Sequence, residues 1–121
     1  MTRKNALFNC KNPYQGQYPK ILCVCSAGLL RSPTLAYVLS NKGCNTRAAG
    51  VHDYALVPVD NVLAEWADQI ICVEPYIRNT LLAALPEYEN KCIALNIPDN
   101  FEYRAPELIQ IIEEQLATIG Y

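Results

Sequence analysis

Apolar positions form two kinds of pattern along this chain: short runs and residues at helical spacing. Short, mainly apolar runs, typical of strands buried on both faces, occur at 20–25, 69–73 and 91–97. The segment 44–51, which contains Thr46, two alanines and Gly50, is interpreted as a further short strand. Apolar residues at helical spacing predict helices at 33–42, 58–67, 75–85 and from 106 onward. Strands that alternate with helices form parallel sheets covered on both sides. The sequence therefore predicts an α/β fold of three layers, in which a four-stranded parallel sheet is flanked by helices.

Residues 1–19 differ from the remainder of the chain. They carry Asn12-Pro13, Gly16 and Tyr18-Pro19 without a clear hydrophobic period, which is typical of an irregular surface segment. With 121 residues the chain is long enough for one core and too short for two. We therefore expect an irregular lead-in over 1–19 and one domain over 20–121.

Composition and charge narrow the classes of function. The chain is 51% hydrophobic and 18% charged, with a net charge of -2, which gives no electrostatic reason to expect nucleic acid. No apolar run approaches the roughly 20 residues of a membrane span, and no N-terminal segment resembles a signal peptide. We expect a cytoplasmic protein without nucleic-acid or membrane partners, and the oligomeric state is left open.

The six cysteines are not spaced as metal ligands. None forms a Cys-x-x-Cys pair, and His52 is the one histidine of the sequence, so a structural zinc site lacks ligands at the usual spacings. We expect neither a metal nor a cofactor. Reduced cysteines also fit the reducing cytoplasm.

The stretch from Cys25 to Pro33 is the strongest candidate for chemistry. Cys25 ends an apolar run, Gly28 permits a turn, and Ser32-Pro33 has the pattern of an N-cap followed by the first helical position. Backbone N–H groups of a loop that leads into a helix form a cradle for an anion. Five residues between a cysteine and an arginine fit around one phosphate. The predicted phosphate-binding residues are Ser26, Ala27, Gly28, Leu29, Leu30 and Arg31.

Side chains of the same stretch supply reacting groups. A thiol near an arginine and a helix N-terminus ionises readily, and the thiolate is the nucleophilic form. Cys25 could then attack phosphorus in line, while the Arg31 guanidinium holds two phosphate oxygens in a bidentate fork. The Ser32 hydroxyl could donate a hydrogen bond to the thiolate, whereas Cys23 is expected to stay protonated and buried.

The segment from Cys25 to Pro33 resembles the active-site loop of the low-molecular-weight protein tyrosine phosphatase family, which also includes thioredoxin-coupled arsenate reductases. The likeness extends to Ala49-Gly50 and to Ala67-Asp68-Gln69-Ile70-Ile71, and in element order it covers about 20–121. It implies a phosphate-binding loop after the first strand of the family fold. It also implies that Cys25 is a nucleophile that forms a cysteinyl-phosphate, Arg31 the phosphate clamp and Ser32 the hydroxyl partner of the thiolate.

The general acid implied by this resemblance has an altered setting. The family has an aspartate in an Asp-Pro pair after the fourth strand, whereas this chain has the inverted order Pro98-Asp99. Asp99 alone among the aspartates follows the fourth predicted strand, so it is the candidate for protonating the leaving oxygen, with Glu102 as the reserve. Gly28 stands where the family has an asparagine. The family's second loop cysteine is absent, which excludes a disulfide from Cys25 to that position.

Aromatic residues are candidates for a substrate wall. Tyr54, Phe101 and Tyr103 fall on loops predicted near the same rim, where ring packing suits an aryl phosphate. The sequence therefore predicts a phosphomonoester hydrolase that acts on phosphotyrosine in proteins. The residues predicted to carry the catalysis are Cys25, Arg31, Ser32 and Asp99.

Two other functions stay open. A phosphate- or phosphotyrosine-binding module with little turnover would keep the cradle and lack the acid. A thioredoxin-coupled arsenate reductase would relay oxidation from Cys25 through two further cysteines. Cys72 and Cys92 are present for that purpose, although both fall in predicted strands.

Overall fold

Four parallel strands form the sheet of the protein. A computed structural model describes residues 19–26, 31–52 and 54–121. The strands are β1 (Lys20–Cys25), β2 (Asn45–Gly50), β3 (Gln69–Cys72) and β4 (Cys92–Ala94). Their spatial order is β2-β1-β3-β4, and every pairing is parallel. The predicted lead-in lies outside the described residues over 1–18.

Helices cover the sheet on both faces. They are α1 (Arg31–Asn41), α2 (Asn61–Trp66), α3 (Pro75–Ala84) and α4 (Pro106–Thr118), and a 3-10 helix, Pro86–Lys91, precedes β4. Right-handed crossovers that move in opposite directions along a sheet lie on opposite faces, so α1 is on one face and α2 and α3 are on the other. α4 contacts α1. This three-layer arrangement confirms the predicted α/β fold class.

The core lies on both sides of the sheet because its central strands are apolar on both faces. Every residue of β1 after Lys20 is buried, and so are the last three residues of β3. α1 and α4 add buried side chains at helical spacing: Leu35, Leu39, Leu108, Ile112 and Leu116. Full burial of one such side chain contributes about 1.5–3 kcal/mol. This packing fixes β1, and with it the backbone that carries Cys25. Among the described residues, none of the helices has the length and apolarity that a membrane crossing requires.

The start of α1 differs from the prediction. The helix begins at Arg31, so Ser32 lies inside its first turn and is not the N-cap. The Ser32 hydroxyl lies near the Cys25 sulfur and the Ala49 carbonyl instead. The end of α1 is as expected, since Gly43 follows it with a φ of 95°, a left-handed conformation that glycine adopts without a side-chain clash.

Two further elements are shorter than predicted. α2 begins after Asp60, whose carboxylate accepts a hydrogen bond of 2.8 Å from the backbone N of Leu63. Pro58, the predicted helix start, forms an isolated bridge with Gly50 instead. β4 covers only part of the predicted strand. Lys91 belongs to the 3-10 helix and the regular strand ends at Ala94, although the backbone N atoms of Leu95 and Ile97 still donate to the carbonyls of Cys72 and Val73.

The carboxyl ends of the strands bring several loops to one edge of the sheet. β1 lies between β2 and β3, and the chain reverses its direction of travel at this point, where ligands bind in open α/β sheets. The backbone N of Val51 bonds the carbonyl of Cys25, and the backbone N of Val73 bonds the carbonyl of Val24, each over 3.0 Å. Segments that follow β2 and β3 are therefore fixed beside Cys25.

Candidate active site

Cys25 and Ser32 bring a thiol and a hydroxyl together at this edge. Cys25 is the last residue of β1 and Ser32 belongs to the first turn of α1, and their Sγ and Oγ atoms are 3.1 Å apart. Both residues are buried. Either atom can donate the hydrogen bond while Cys25 is a thiol. Because a thiolate can only accept, the Ser32 hydroxyl would be the donor once Cys25 is ionised.

The loop after β2 holds the beginning of the predicted cradle through backbone hydrogen bonds. Val51 N donates to the Cys25 carbonyl, and His52 N donates to the Ser26 carbonyl, each over 3.0 Å. The peptide groups at the end of β1 are thereby fixed against this loop. The other predicted cradle residues lie outside the described part of the chain: Ala27, Gly28, Leu29 and Leu30.

Arg31 is buried at the start of α1 and has partners on two other segments. Its Nη1 donates to the carboxylate of Glu74 and, over 3.0 Å, to the carbonyl of Ile97. Its Nε lies 3.4 Å from Oδ1 of Asp99. A charged group this deeply buried is stable only when it is paired and hydrogen-bonded. The Nη1 group is thus anchored to the protein, while Nε faces the Asp99 carboxylate.

Glu74 contacts the candidate site through Arg31, although it was not singled out from the sequence. It follows β3 directly and occupies the N-cap of α3, yet its side chain makes no capping hydrogen bond. The carboxylate pairs with Arg31 instead. The sequence does hold a usable signal, because a carboxylate that ends a buried strand and precedes Pro75 belongs to the same sheet edge as Cys25.

Asp99 lies beside Arg31 in an open cleft. The cleft has a volume of about 400 Å³ and is lined by Glu74, Asn96, Ile97, Pro98 and Asp99. The Asp99 side chain is 66% exposed, so a ligand in the cleft can reach its carboxylate. Within the described chain, Arg31 forms ion pairs with Asp99 and Glu74 and not with Glu102.

The far end of the loop after β4 folds back on α1. Arg104 has a φ of 60°, and this left-handed conformation costs a non-glycine residue about 1–2 kcal/mol. Its backbone N donates to Oγ1 of Thr34 over 3.0 Å. Its guanidinium carbon lies 3.7 Å from the ring centroid of Tyr37 and 5.1 Å from that of Tyr103. These contacts attach the loop to the helix that carries Arg31.

The near end of the same loop is attached to α4. The backbone N of Asn96 donates to Oε1 of Gln115, and Nε2 of Gln115 donates to the carbonyl of Asn96, each over 2.6 Å. One side-chain amide therefore satisfies both backbone groups of Asn96. The next residue is Ile97, whose carbonyl accepts the hydrogen bond from Arg31.

The aromatic residues predicted as a substrate wall lie in different surroundings. Tyr54 is 73% exposed, and its ring stacks on that of His52 with the centroids 4.9 Å apart. Because the His52 backbone is bonded to Ser26, this stack belongs to the loop beside the cradle. Tyr103 is half-exposed, whereas Phe101 is partly buried against the core.

Three other cysteines are buried in strands. Cys72 on β3 and Cys92 on β4 have their sulfur atoms 3.7 Å apart, and the hydrogen bond with Cys92, together with burial, raises the pKa of Cys72. Burial raises the pKa of Cys23 well above its ordinary value, which keeps that thiol protonated. Within the described ranges, no cluster of three or more His, Cys, Asp or Glu side chains could hold a metal ion.

The fold has clear counterparts among solved structures. It is the fold of low-molecular-weight protein tyrosine phosphatases, as in the members from Bacillus subtilis and T. tengcongensis. This agrees with the resemblance seen in the sequence. No protein-family model matches the chain, however, and no curated protein matches it either.

Three of these structures illustrate the likeness. The tyrosine phosphatase Wzb from Escherichia coli K30, solved with phosphate, has a TM-score of 0.70 and 18% identity over 85% of this chain and 96% of its own. Wzb from Vibrio vulnificus, solved with benzylphosphonate, has a TM-score of 0.68 and 21% identity, covering 84% and 97%. The YwlE arginine phosphatase from Geobacillus stearothermophilus has a TM-score of 0.65 and 21% identity, covering 84% and 94%. At such identities the likeness defines the fold alone.

Proposed function

We propose that the protein is a phosphomonoester hydrolase that removes phosphate from tyrosine side chains of proteins through a cysteinyl-phosphate intermediate. The observation that carries the proposal is the 3.1 Å contact between Cys25 Sγ and Ser32 Oγ, on the helix whose first residue is Arg31. A nucleophilic thiol, a hydroxyl that can stabilise its anion and a guanidinium for the phosphate are the groups that this reaction needs. We assign the activity to the domain at 20–121.

In the first step, the Cys25 thiolate attacks phosphorus on the side opposite the tyrosine oxygen. The S–P bond forms while the P–O bond breaks, and protonated Asp99 gives its proton to the departing oxygen. Arg31 holds two phosphate oxygens through Nε and Nη2, because its Nη1 is already used by Glu74 and Ile97. Backbone amides of the predicted cradle bind the remaining charge.

In the second step, water attacks the phosphorus of the cysteinyl-phosphate. Asp99, now ionised, accepts a proton from this water, the P–S bond breaks and inorganic phosphate forms. Cys25 departs as a thiolate, to which the Ser32 hydroxyl donates a hydrogen bond. The cycle therefore ends with the same protonated acid and the same thiolate with which it began.

The aromatic surroundings favour a phosphorylated ring as the substrate. The exposed Tyr54 ring, stacked on the partly buried His52, offers a planar face beside the cradle, and Phe101 and Tyr103 are the other proposed wall residues. Aromatic pairs contribute about 0.5–1.5 kcal/mol beyond the burial of their area. Wzb is named a tyrosine phosphatase and YwlE an arginine phosphatase, so phosphotyrosine and phosphoarginine peptides are the substrates to compare.

The two alternative functions have less support. A phosphate-binding module with little turnover needs no acid, whereas the Asp99 carboxylate lies 3.4 Å from the Arg31 guanidinium. An arsenate reductase needs further thiols that can approach Cys25 in turn. Cys72 and Cys92 are instead buried in strands and contact each other.

Hydrolysis of p-nitrophenyl phosphate and of a phosphotyrosine peptide tests the proposal. We expect turnover by the wild type and a loss of roughly 1,000-fold or more in Cys25→Ser, because the nucleophile is removed. Cys23→Ala, which removes a thiol two residues away on the same strand, is the matched control and should retain activity.

Each other outcome has a definite meaning. Undiminished turnover by Cys25→Ser would exclude Cys25 as the nucleophile. A wild type that binds the phosphotyrosine peptide without hydrolysing it would favour the binding module. Arsenate consumption in the presence of thioredoxin, lost in Cys72→Ser or Cys92→Ser, would favour the reductase.

A further inference from the structure

The loop between Asp99 and α4 is held on α1 by one residue with an unfavourable backbone. Arg104 has a φ of 60°, and it is the one non-glycine residue with a positive φ in the described part of the chain. Such a conformation persists where surrounding contacts compensate its cost. Here the backbone N–H of Arg104 donates to Thr34 Oγ1 over 3.0 Å, and its guanidinium carbon lies 3.7 Å from the Tyr37 ring centroid.

These contacts, which we call the Arg104 clasp, lie on the helix that also carries the proposed reacting groups. Thr34 is fully buried, so the oxygen that accepts the bond from Arg104 is fixed by the packing of α1. The same first turn carries Arg31 and Ser32. One rigid element thus holds both the groups proposed to bind the phosphate and the end of the loop proposed to supply the acid.

When substrate is bound, Asp99 needs a contact other than Arg31 to keep its carboxylate in position. In the free protein its carboxylate lies 3.4 Å from Arg31 Nε. A bound phosphate is proposed to use this Nε, so the contact with Asp99 weakens at the moment when the acid has to act. The Asp99 side chain is 66% exposed and has little packing to restrain it. The Arg104 clasp does not involve Arg31, so it stays in place when phosphate binds.

We propose that Arg104 is a positioning residue that keeps Asp99 aligned with the leaving oxygen, through its left-handed backbone and its stack on Tyr37. This inference rests on the proposed phosphatase function. A cation within about 6 Å of a ring centroid is attracted to the ring face, so the Arg104 guanidinium is held on Tyr37. A loop that is already fixed loses less conformational freedom when the transition state forms. The clasp therefore acts on proton donation and leaves attack by the thiolate unchanged.

Substrates with different leaving groups separate these two effects. Phenol, with a pKa of about 10 like tyrosine, needs a proton to depart, whereas p-nitrophenol is a better leaving group. Arg104→Asn removes the guanidinium and keeps a residue that tolerates a positive φ. Tyr37→Leu removes the ring, and Tyr37→Phe is the matched control that retains it.

We expect Arg104→Asn and Tyr37→Leu to lower kcat/KM for phenyl phosphate roughly tenfold and to change that for p-nitrophenyl phosphate less than about twofold. Tyr37→Phe should resemble the wild type on both substrates. Equal losses on the two substrates, or no loss on either, would overturn the positioning role. A wild type that hydrolyses neither substrate would refute the proposed function instead.

Amide hydrogen exchange over 99–105 gives an independent measurement that does not depend on turnover. The clasp predicts faster exchange in this loop for Arg104→Asn and Tyr37→Leu than for Tyr37→Phe or the wild type. Unchanged exchange in the first two variants would show that Arg104 and Tyr37 do not hold the loop, whatever the activity of the protein.

Discussion

The loop after β2 contacts Cys25 and the loop after β4 contacts Arg31, and the two loops are held in different ways. After β2 the anchors are backbone groups, since Val51 and His52 donate to the carbonyls of Cys25 and Ser26. Gly50 also forms a backbone bridge within the same region. Such hydrogen bonds do not depend on the side chains of the loop, so this loop can change its sequence without losing its place.

The first residues after β4 also have backbone anchors, since Leu95 N donates to the Cys72 carbonyl and Ile97 N to the Val73 carbonyl. The attachments of this loop to α1 and α4, however, involve side chains. Gln115 holds Asn96, Arg31 contacts Asp99, and Arg104 reaches Thr34 and Tyr37 on α1. Each attachment depends on one or two particular residues. A loop proposed to supply a proton can therefore be positioned accurately and still be vulnerable to single substitutions.

Replacing Asp99 removes the proposed proton donor from the loop after β4 and should have the largest effect of the three substitutions described below. We expect Asp99→Asn to lower kcat/KM for phenyl phosphate by about 100-fold or more, because the leaving oxygen loses its proton donor. The loss for p-nitrophenyl phosphate should be much smaller. Initial rates over a series of aryl phosphates measure this dependence. Glu102→Gln is the control, and a steeper leaving-group dependence in that variant would reassign the acid to Glu102.

Replacing Glu74 should disturb the anchor of Arg31 and give an intermediate effect. We expect Glu74→Ala to lower kcat/KM roughly tenfold, because the buried Arg31 guanidinium loses one of its two charged partners and the proposed phosphate clamp loses its alignment. The loss should be equal for phenyl and p-nitrophenyl phosphate, since both carry the same phosphate. Glu87→Ala, an exposed glutamate of the 3-10 helix, is the control. A loss confined to phenyl phosphate would instead indicate that Glu74 donates the proton.

Replacing Tyr54, on the loop after β2, should have the smallest effect of the three substitutions. We expect Tyr54→Ala to raise KM for aryl phosphates about two- to fivefold, because the proposed ring contact with the substrate is lost. The free energy of unfolding should change by less than about 0.5 kcal/mol, as for most surface substitutions. Leu56→Ala, equally exposed at 73% on the same loop, should leave KM unchanged. A marked loss of stability in Tyr54→Ala would mean that this loop also depends on its side chains.

The fold could be predicted from the sequence because its strongest signals are local. β1 and β3 are buried on both faces and therefore read as continuous apolar runs, and α4 shows its buried stripe at helical spacing. The residues at which helices and strands begin and end were less predictable. Ser32 has the chemistry of an N-cap, but its partner in the folded protein is the Cys25 sulfur, so a tertiary contact overrides the local preference.

The candidate site was only partly predictable. Cys25, Arg31 and Ser32 lie within one short stretch, where their spacing is visible. Glu74 and Arg104 were missed because their partners lie 43 and 70 positions away, and such contacts leave no periodic pattern. The contact of Gln115 with Asn96 was missed for the same reason, since a glutamine on a predicted helix is expected to face solvent.

The Ser32 hydroxyl can adapt to both the neutral and the ionised form of the Cys25 thiol. Its oxygen lies 3.1 Å from Cys25 Sγ and 3.4 Å from the Ala49 carbonyl oxygen on β2. With a neutral thiol, the hydroxyl hydrogen can point towards the carbonyl, and with an anion it can turn towards the sulfur. Rotation of a single hydrogen about the Cβ–Oγ bond thus accommodates both ionisation states, and no heavy atom of helix or sheet has to move between them.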